Sequence, residues 1–233
     1  MQPMSDLRAA LTEALGPLYR VEREVRPVGD DRLFVVAAGQ LGPALLVKVL
    51  PAAASLAIDV LPFERELLLL ADRLHHPNLT APKGGGRAGS FIYHTRRFVP
   101  GTTLHAWMAR HGTVPLARAI EIIRGILTGL AHAHAASIAH GSLKAENVIL
   151  GTEGIVLTDV GIVRVLGRAA SRTGDMITLG ALVRLMLVGR PFHIPEEPLE
   201  QSRTLPHWLT AWLETRWAQA GEALAALRPP GAP

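Results

Sequence analysis

"HGSLKAENVIL", residues 140–150, is the stretch on which the reading of this chain turns. A polar loop runs directly into an apolar strand, an arrangement in which a rigid element holds reactive side chains in place. At its third position the loop carries Ser142, a hydroxyl with no charge at neutral pH.

On the upstream side, Ile120, Ile123, Leu127 and Leu130 recur at helical spacing, which predicts a long helix from Pro115 to about Ala136. On the downstream side, "GIVLTDVG" reads as a second short strand, followed by a helix over "DMITLGALVRLMLVG" and a final helical region through "LPHWLTAWLETRW" and "EALAALR". The first third of the chain is different. Residues 7–16 read as a short amphipathic helix, and "YRVEREV", "RLFVVAAG" and "ALLVKVL" read as an antiparallel meander. "FERELLLLADRLHH" predicts a helix with Pro62 in its first turn, and its leucines outnumber one face, so burial on more than one side is expected. "KGGGRAGS" has the glycines of a phosphate loop but precedes a strand, "FIYHTRRFV", and so reads as a flexible turn. With no internal repeat and no long linker, one domain is expected over residues 1–228. It would comprise a β-rich lobe to about residue 97, a helical lobe over 98–228, and a disordered tail at 229–233.

A chain of 233 residues with 48% apolar side chains can build a sizeable core. The absence of cysteine excludes a disulfide framework, a thiolate metal site and a cysteine nucleophile, and it suits a reducing cytoplasm, where the protein is expected. The start carries Asp6 and Glu13 and lacks the pattern of a signal peptide, and "LGALVRLMLVG" is too short to span a bilayer and is interrupted by Arg184. No membrane association is expected. The net charge is +4, but no run of five like charges occurs, which favours a solvated basic surface over a nucleic-acid partner.

Five motifs, "LLVKVL", "FERELLLLADRLHHPNL", "HGSLKAENV", "TDVG" and "DMITLG", occur in one order and at one spacing. By these the chain resembles bacterial Ser/Thr protein kinases from about Tyr19 to Leu227, as a degenerate, pseudokinase-like member. The resemblance implies an α+β bilobal protein-kinase-like fold, with a small β-rich N-lobe holding one helix and a shortened, mainly helical C-lobe. It further implies that Lys48 is the strand lysine that holds the α and β phosphates of ATP. Glu66 would position that lysine, with Glu64 as its rival. Asn147 and Asp159 match the two Mg²⁺ ligands, and Lys144 matches the lysine that steadies the transferred phosphate.

Other family features are missing. Ser142 replaces the aspartate that accepts the substrate proton, a loss that typically costs about 10²- to 10⁴-fold in rate. Arg26, Val28 and Asp31 fall where the family has the three glycines of its phosphate loop, and Asp30 with Asp31 add repulsion toward a polyanion. Leu46 replaces a small alanine and Arg96 falls at the gatekeeper position, so the adenine pocket is expected to be occluded. Only the 13 residues "IVRVLGRAASRTG" separate Gly161 from Asp175, too few for an activation loop and peptide platform. Gly141 stands in place of the family's loop arginine, and "DVG" has lost its phenylalanine. Asp175 should still tie the loop backbone to the core, with His140 and Val160 stacking toward Leu70.

The resemblance therefore implies a protein that works by binding a protein partner, with residual binding of ATP and Mg²⁺ in doubt. The alternative is a divergent Ser/Thr kinase or phosphotransferase using Mg·ATP. His132, His134 and His140 are expected to be structural rather than metal ligands. Trp208, Trp212 and Trp217 are expected to pack in the core, with a partner-binding face as the other reading. Arg164, Arg168 and Arg172 would form a basic stripe if their segment is helical.

Overall fold

A computed structural model describes residues 4–28, 31–39, 42, 44–189 and 205–227. Asp30 and the 229–233 tail lie outside the described residues. The chain divides into two compact units, with His76–Leu79 joining the second and Val165–Gly167 the first.

The first unit is an antiparallel five-stranded sheet in the order β1-β2-β3-β5-β4, formed by β1 (Tyr19–Val28), β2 (Asp31–Ala38), β3 (Ala44–Val49), β4 (Pro82–Ala88) and β5 (Phe91–Arg97). The first three strands are the expected meander. The helix expected at 7–16 is α1 (Met4–Leu15), and its Leu7 and Leu11 bury against Val21, Phe34, Val36, Val47, Val49 and Tyr93 of the sheet. A short helix, α2 (Ala52–Leu56), precedes α3 (Val60–Arg73), which begins at Asp59, whose carboxylate accepts the Leu61 amide.

Two expectations need correction here. The glycine run is not a flexible turn but β4 itself, with the turn moved to Gly89 and Ser90. A Cβ on Gly85 would lie 2.5 Å from Leu67 Cδ1 and 3.0 Å from Phe63 Cε1, so the bare backbone is what lets α3 seat those side chains against the strand. Gly85→Val is therefore expected to cost about 1–3 kcal/mol by overpacking, read as a lower thermal midpoint. A variant that melts with the wild type would contradict this contact. Nor is α3 buried on more than one side: Phe63, Leu67 and Leu70 face inward, while Leu61, Leu68 and Leu69 are exposed, because only one face meets the sheet.

The second unit is built on α5 (Leu116–Ala135), close to the predicted helix, with Ile122, Ile123, Ile126, Leu127 and Leu130 fully buried. Before it come β6 (Gly101–Thr103) and α4 (Leu104–His111), and after it β7 (Val148–Gly151) and β8 (Gly154–Leu157), which close a three-stranded antiparallel sheet in the order β6-β7-β8. Gly125 and Gly129 of α5 leave room for Ile155 and Leu157 of β8: a Cβ on Gly125 would meet Ile155 Cβ at 2.5 Å. The chain continues through α6 (Ile162–Val165), α7 (Arg172–Val188), α8 (His207–Glu214) and α9 (Ala220–Ala226). The Trp212 indole is buried and donates to the Ala223 carbonyl at 2.9 Å, and Trp217 donates to the Trp212 carbonyl at 3.0 Å. Trp212 thus ties α8 to α9, and Trp217 ties the connection between them back to α8. Among the described residues no helix is long and apolar enough to cross a membrane.

Candidate functional site

Strand register gathers the first group of side chains. Lys48 on β3 lies opposite Leu33 on β2 and His94 on β5, and Leu46 lies opposite Val35 and Arg96. Because side chains alternate along a strand, Lys48, Leu46, His94, Arg96, Leu33 and Asp31 share one sheet face. Leu46 and Arg96 are both buried there, and Arg96 turns back so that Nη1 donates to the Arg97 carbonyl at 3.2 Å. The two residues expected to crowd an adenine ring are therefore neighbours in the sheet interior.

Lys48 Nζ lies 2.9 Å from the Asp31 carboxylate, with both side chains mostly buried. This carboxylate comes from β2, whereas the resemblance implied one from α3. The reason lies in the packing of α3: the inward positions are taken by Phe63, Leu67 and Leu70, and Glu66 is only half-buried. Glu64 instead sits beside Tyr93. Burial and the Glu64 charge both raise the pKa of the Tyr93 hydroxyl. Sequence reasoning placed Asp31 in a degenerate glycine loop and did not identify it as the partner of Lys48. With Leu33 opposite Lys48, Asp31 is the diagonal neighbour of Lys48 on the same face, but the sequence alone does not fix that register.

The second group sits around the β7–β8 hairpin of the other unit. Asn147 ends a 3₁₀ turn (Ala145–Asn147) just before β7, and Asp159 follows β8, so pairing of Val148 with Leu157 brings their backbones together. The Asn147 carbonyl accepts the Thr158 amide at 2.9 Å, and its Nδ2 donates to the Ser142 carbonyl at 2.8 Å. Both side chains are buried, and Asp159 has φ of 62°, a left-handed conformation rare outside glycine. An amide oxygen and a carboxylate are hard donors that suit Mg²⁺. Among the described residues no group of three or more His, Cys, Asp or Glu side chains could hold a metal ion, so Mg²⁺ here would take most of its oxygens from water or a phosphate. Lys144 is exposed and Ser142 half-buried in the same loop.

Asp175, in the first turn of α7, organises this loop as expected. Its buried carboxylate accepts the His140 amide at 2.7 Å and the Gly141 amide at 2.8 Å, and pairs with His134 Nε2 at 2.9 Å. His134 Nδ1 in turn accepts the Ala220 amide at 3.2 Å, so one imidazole joins α5, α7 and α9. His134 and His140 are structural residues in this arrangement, and His132 lies against His76 with ring centroids 5.0 Å apart. The His140 ring is fully buried. Burial holds its pKa below the ordinary value, with the charges of Asp175 and Asp159 opposing the shift. The unfolded chain takes up this proton at about pH 6.5 and the folded chain only at lower pH. Stability from the neutral ring is therefore complete above about pH 6.5 and falls as the pH drops below it. We expect the urea midpoint to fall between about pH 7.5 and about pH 5.5, and to fall less in His140→Leu.

The shortened segment lies directly on the loop. Gly141, at φ of 77°, would place a Cβ 2.7 Å from Ala170 Cβ and 3.1 Å from Val163 Cβ. The segment is not one helix: α6 ends at Val165, Gly167 takes φ of 71°, and Ser171 caps α7 by accepting the Gly174 amide. The basic stripe of Arg164, Arg168 and Arg172 therefore does not form on a helix face, although all three are exposed. Arg172 Nη1 instead points toward the His134 carbonyl at 3.4 Å.

Comparison with known proteins agrees with this geometry. The protein kinase domain model matches residues 47–202, a span that starts on β3 and leaves the β1–β2 hairpin outside it. A probable serine/threonine-protein kinase PknB from Lactococcus lactis is 32% identical over 155 residues, 65% of this chain and 25% of that protein. Serine/threonine-protein kinase PknL from Mycobacterium tuberculosis is 32% identical over 114 residues, 48% of this chain and 28% of that protein. The chain thus spans about a quarter of the length of these relatives. In structure it is similar to the crystallised PknI kinase domain of M. tuberculosis, with a TM-score of 0.74 at 20% identity, over 90% of this chain and 94% of that one.

Proposed function

This chain belongs to the protein kinase domain family, and from that premise we propose that it is a pseudokinase: it keeps the α+β kinase scaffold, does not transfer phosphate, and acts by binding a protein partner as a regulator or scaffold. The observation that carries this reading is the packing of the short 162–174 segment over Gly141, next to Ser142. Val163 and Ala170 occupy the space beside the residue that precedes the base position, where the family holds an arginine and a much longer loop. Ser142 lacks a carboxylate to accept a proton, and Lys48 is engaged by a carboxylate of the chain's own sheet. Phosphoryl transfer is mostly positioning and charge neutralisation, so the loss of several positioning elements together weighs more than the loss of the base alone.

Asn147 and Asp159 support a weaker component, residual binding of Mg·ATP through the loops of the second unit. Leu46 and Arg96, buried side by side on the sheet of the first unit, argue against an open adenine pocket there. Arg96→Met is expected to raise nucleotide affinity by removing a long cation from the sheet face, as measured by titration calorimetry. An affinity unchanged from wild type would contradict occlusion.

The function is tested by incubating the purified protein with γ-labelled ATP and Mg²⁺, alone and with generic protein substrates. The reading expects no label above that in Lys48→Ala. Robust incorporation that disappears in Lys48→Ala would instead support a divergent Ser/Thr kinase.

A further inference from the structure

Asp31 is the first residue of β2, and its carboxylate reaches diagonally across the sheet to Lys48 Nζ at 2.9 Å. The strands hold this contact in place. Leu33, two residues on, is in register with Lys48, and Arg32, between them, turns to the opposite face, where its guanidinium makes two hydrogen bonds to Glu24 at 2.7 and 2.9 Å. Asp31 is thus held in register by the two residues that follow it, and a one-residue slip of β2 would turn its side chain to the opposite face. The Asp31 and Lys48 side chains retain only 24% and 15% of their exposure, so the pair is shielded from the solvent that weakens a surface salt bridge.

We propose that Asp31 is an intramolecular occupant of the Lys48 ammonium and determines which ligands this sheet face accepts. Its carboxylate oxygen provides the negative charge and acceptor that a nucleotide's phosphate would provide. A polyphosphate must displace that carboxylate and then remain beside it, whereas an uncharged ligand such as a nucleoside faces no such competition. Removing the charge at position 31 converts the face into one that favours phosphates. The inference deepens the reading of Lys48 as the family's phosphate-contacting lysine and rests on it.

The test is calorimetric titration of the full chain with ATP, ADP and adenosine, each with Mg²⁺, in the wild type and in Asp31→Asn, Asp31→Glu and Asp31→Asn/Lys48→Met. Circular dichroism checks that each variant is folded, and Asp31→Ser replaces Asp31→Asn if the latter is not. The expected result is a gain of about tenfold for ATP and ADP in Asp31→Asn, no gain for adenosine, wild-type affinity in Asp31→Glu, and loss of the gain in the double variant. The proposal is overturned if ATP affinity is equal in wild type and Asp31→Asn, including the case in which neither binds. It is likewise overturned if adenosine gains as much as ATP, or if the gain survives Lys48→Met. The labelled-phosphate assay reads a different quantity: transfer by the wild type would end the pseudokinase reading and leave the Asp31 effect on affinity standing.

Discussion

Asp175→Ala is expected to lower the thermal midpoint by about 10 °C, one of the largest effects of any single substitution in this chain. The carboxylate is 2% exposed and has three partners, the amides of His140 and Gly141 and the His134 ring. Alanine would leave two amides and an imidazole N–H buried without an acceptor, and breaking a buried charged network typically costs about 3–5 kcal/mol. His134 also holds the Ala220 amide, so α9 should loosen together with the loop. Asp175→Asn keeps the shape and one acceptor oxygen and should lose about half as much. An Asp175→Ala variant that melts within a degree or two of the wild type would show that this network does not organise the unit.

Restoring the family's arginine at position 141 should harm the protein rather than repair it. Gly141→Arg places an L-residue at φ of 77°, which costs about 1–2 kcal/mol, and adds a Cβ 2.7 Å from Ala170, where overpacking costs about 1–3 kcal/mol more. Gly141→Ala isolates the backbone and first-carbon effects. Adding Ala170→Gly to it should recover the steric part, and the double-mutant cycle measures that share. If Gly141→Arg is as stable as the wild type, the short segment does not lie on the loop and the main support for an inactive protein fails.

The fold was legible because its periodic and alternating segments are long. The strands of the meander, the α5 helix and the motif order at 140–161 all carried strong local patterns, and the tie from Asp175 to the loop followed from the family resemblance. The mistaken readings arose where tertiary packing overrode local preference. Three successive glycines at 84–86 signal a turn in isolation, but here they are a strand whose missing side chains receive Phe63 and Leu67. The leucines of α3 signal deep burial, but only one helix face meets the sheet. Within the site, the residue types at 48, 147 and 159 could be read directly. The Asp31–Lys48 pair and the contact of Gly141 with Ala170 could not, because each joins residues 17 or 29 positions apart whose meeting depends on register and loop path.

The central claim, a kinase scaffold without the transfer reaction, is tested most directly by the rate of γ-phosphate transfer from Mg·ATP in three proteins side by side: wild type, Ser142→Asp and Lys48→Met. The account predicts the same background rate in all three, because returning the carboxylate does not rebuild the segment packed against Gly141 or release Lys48 from Asp31. A wild-type rate that depends on Lys48, or a large gain in Ser142→Asp alone, would contradict it.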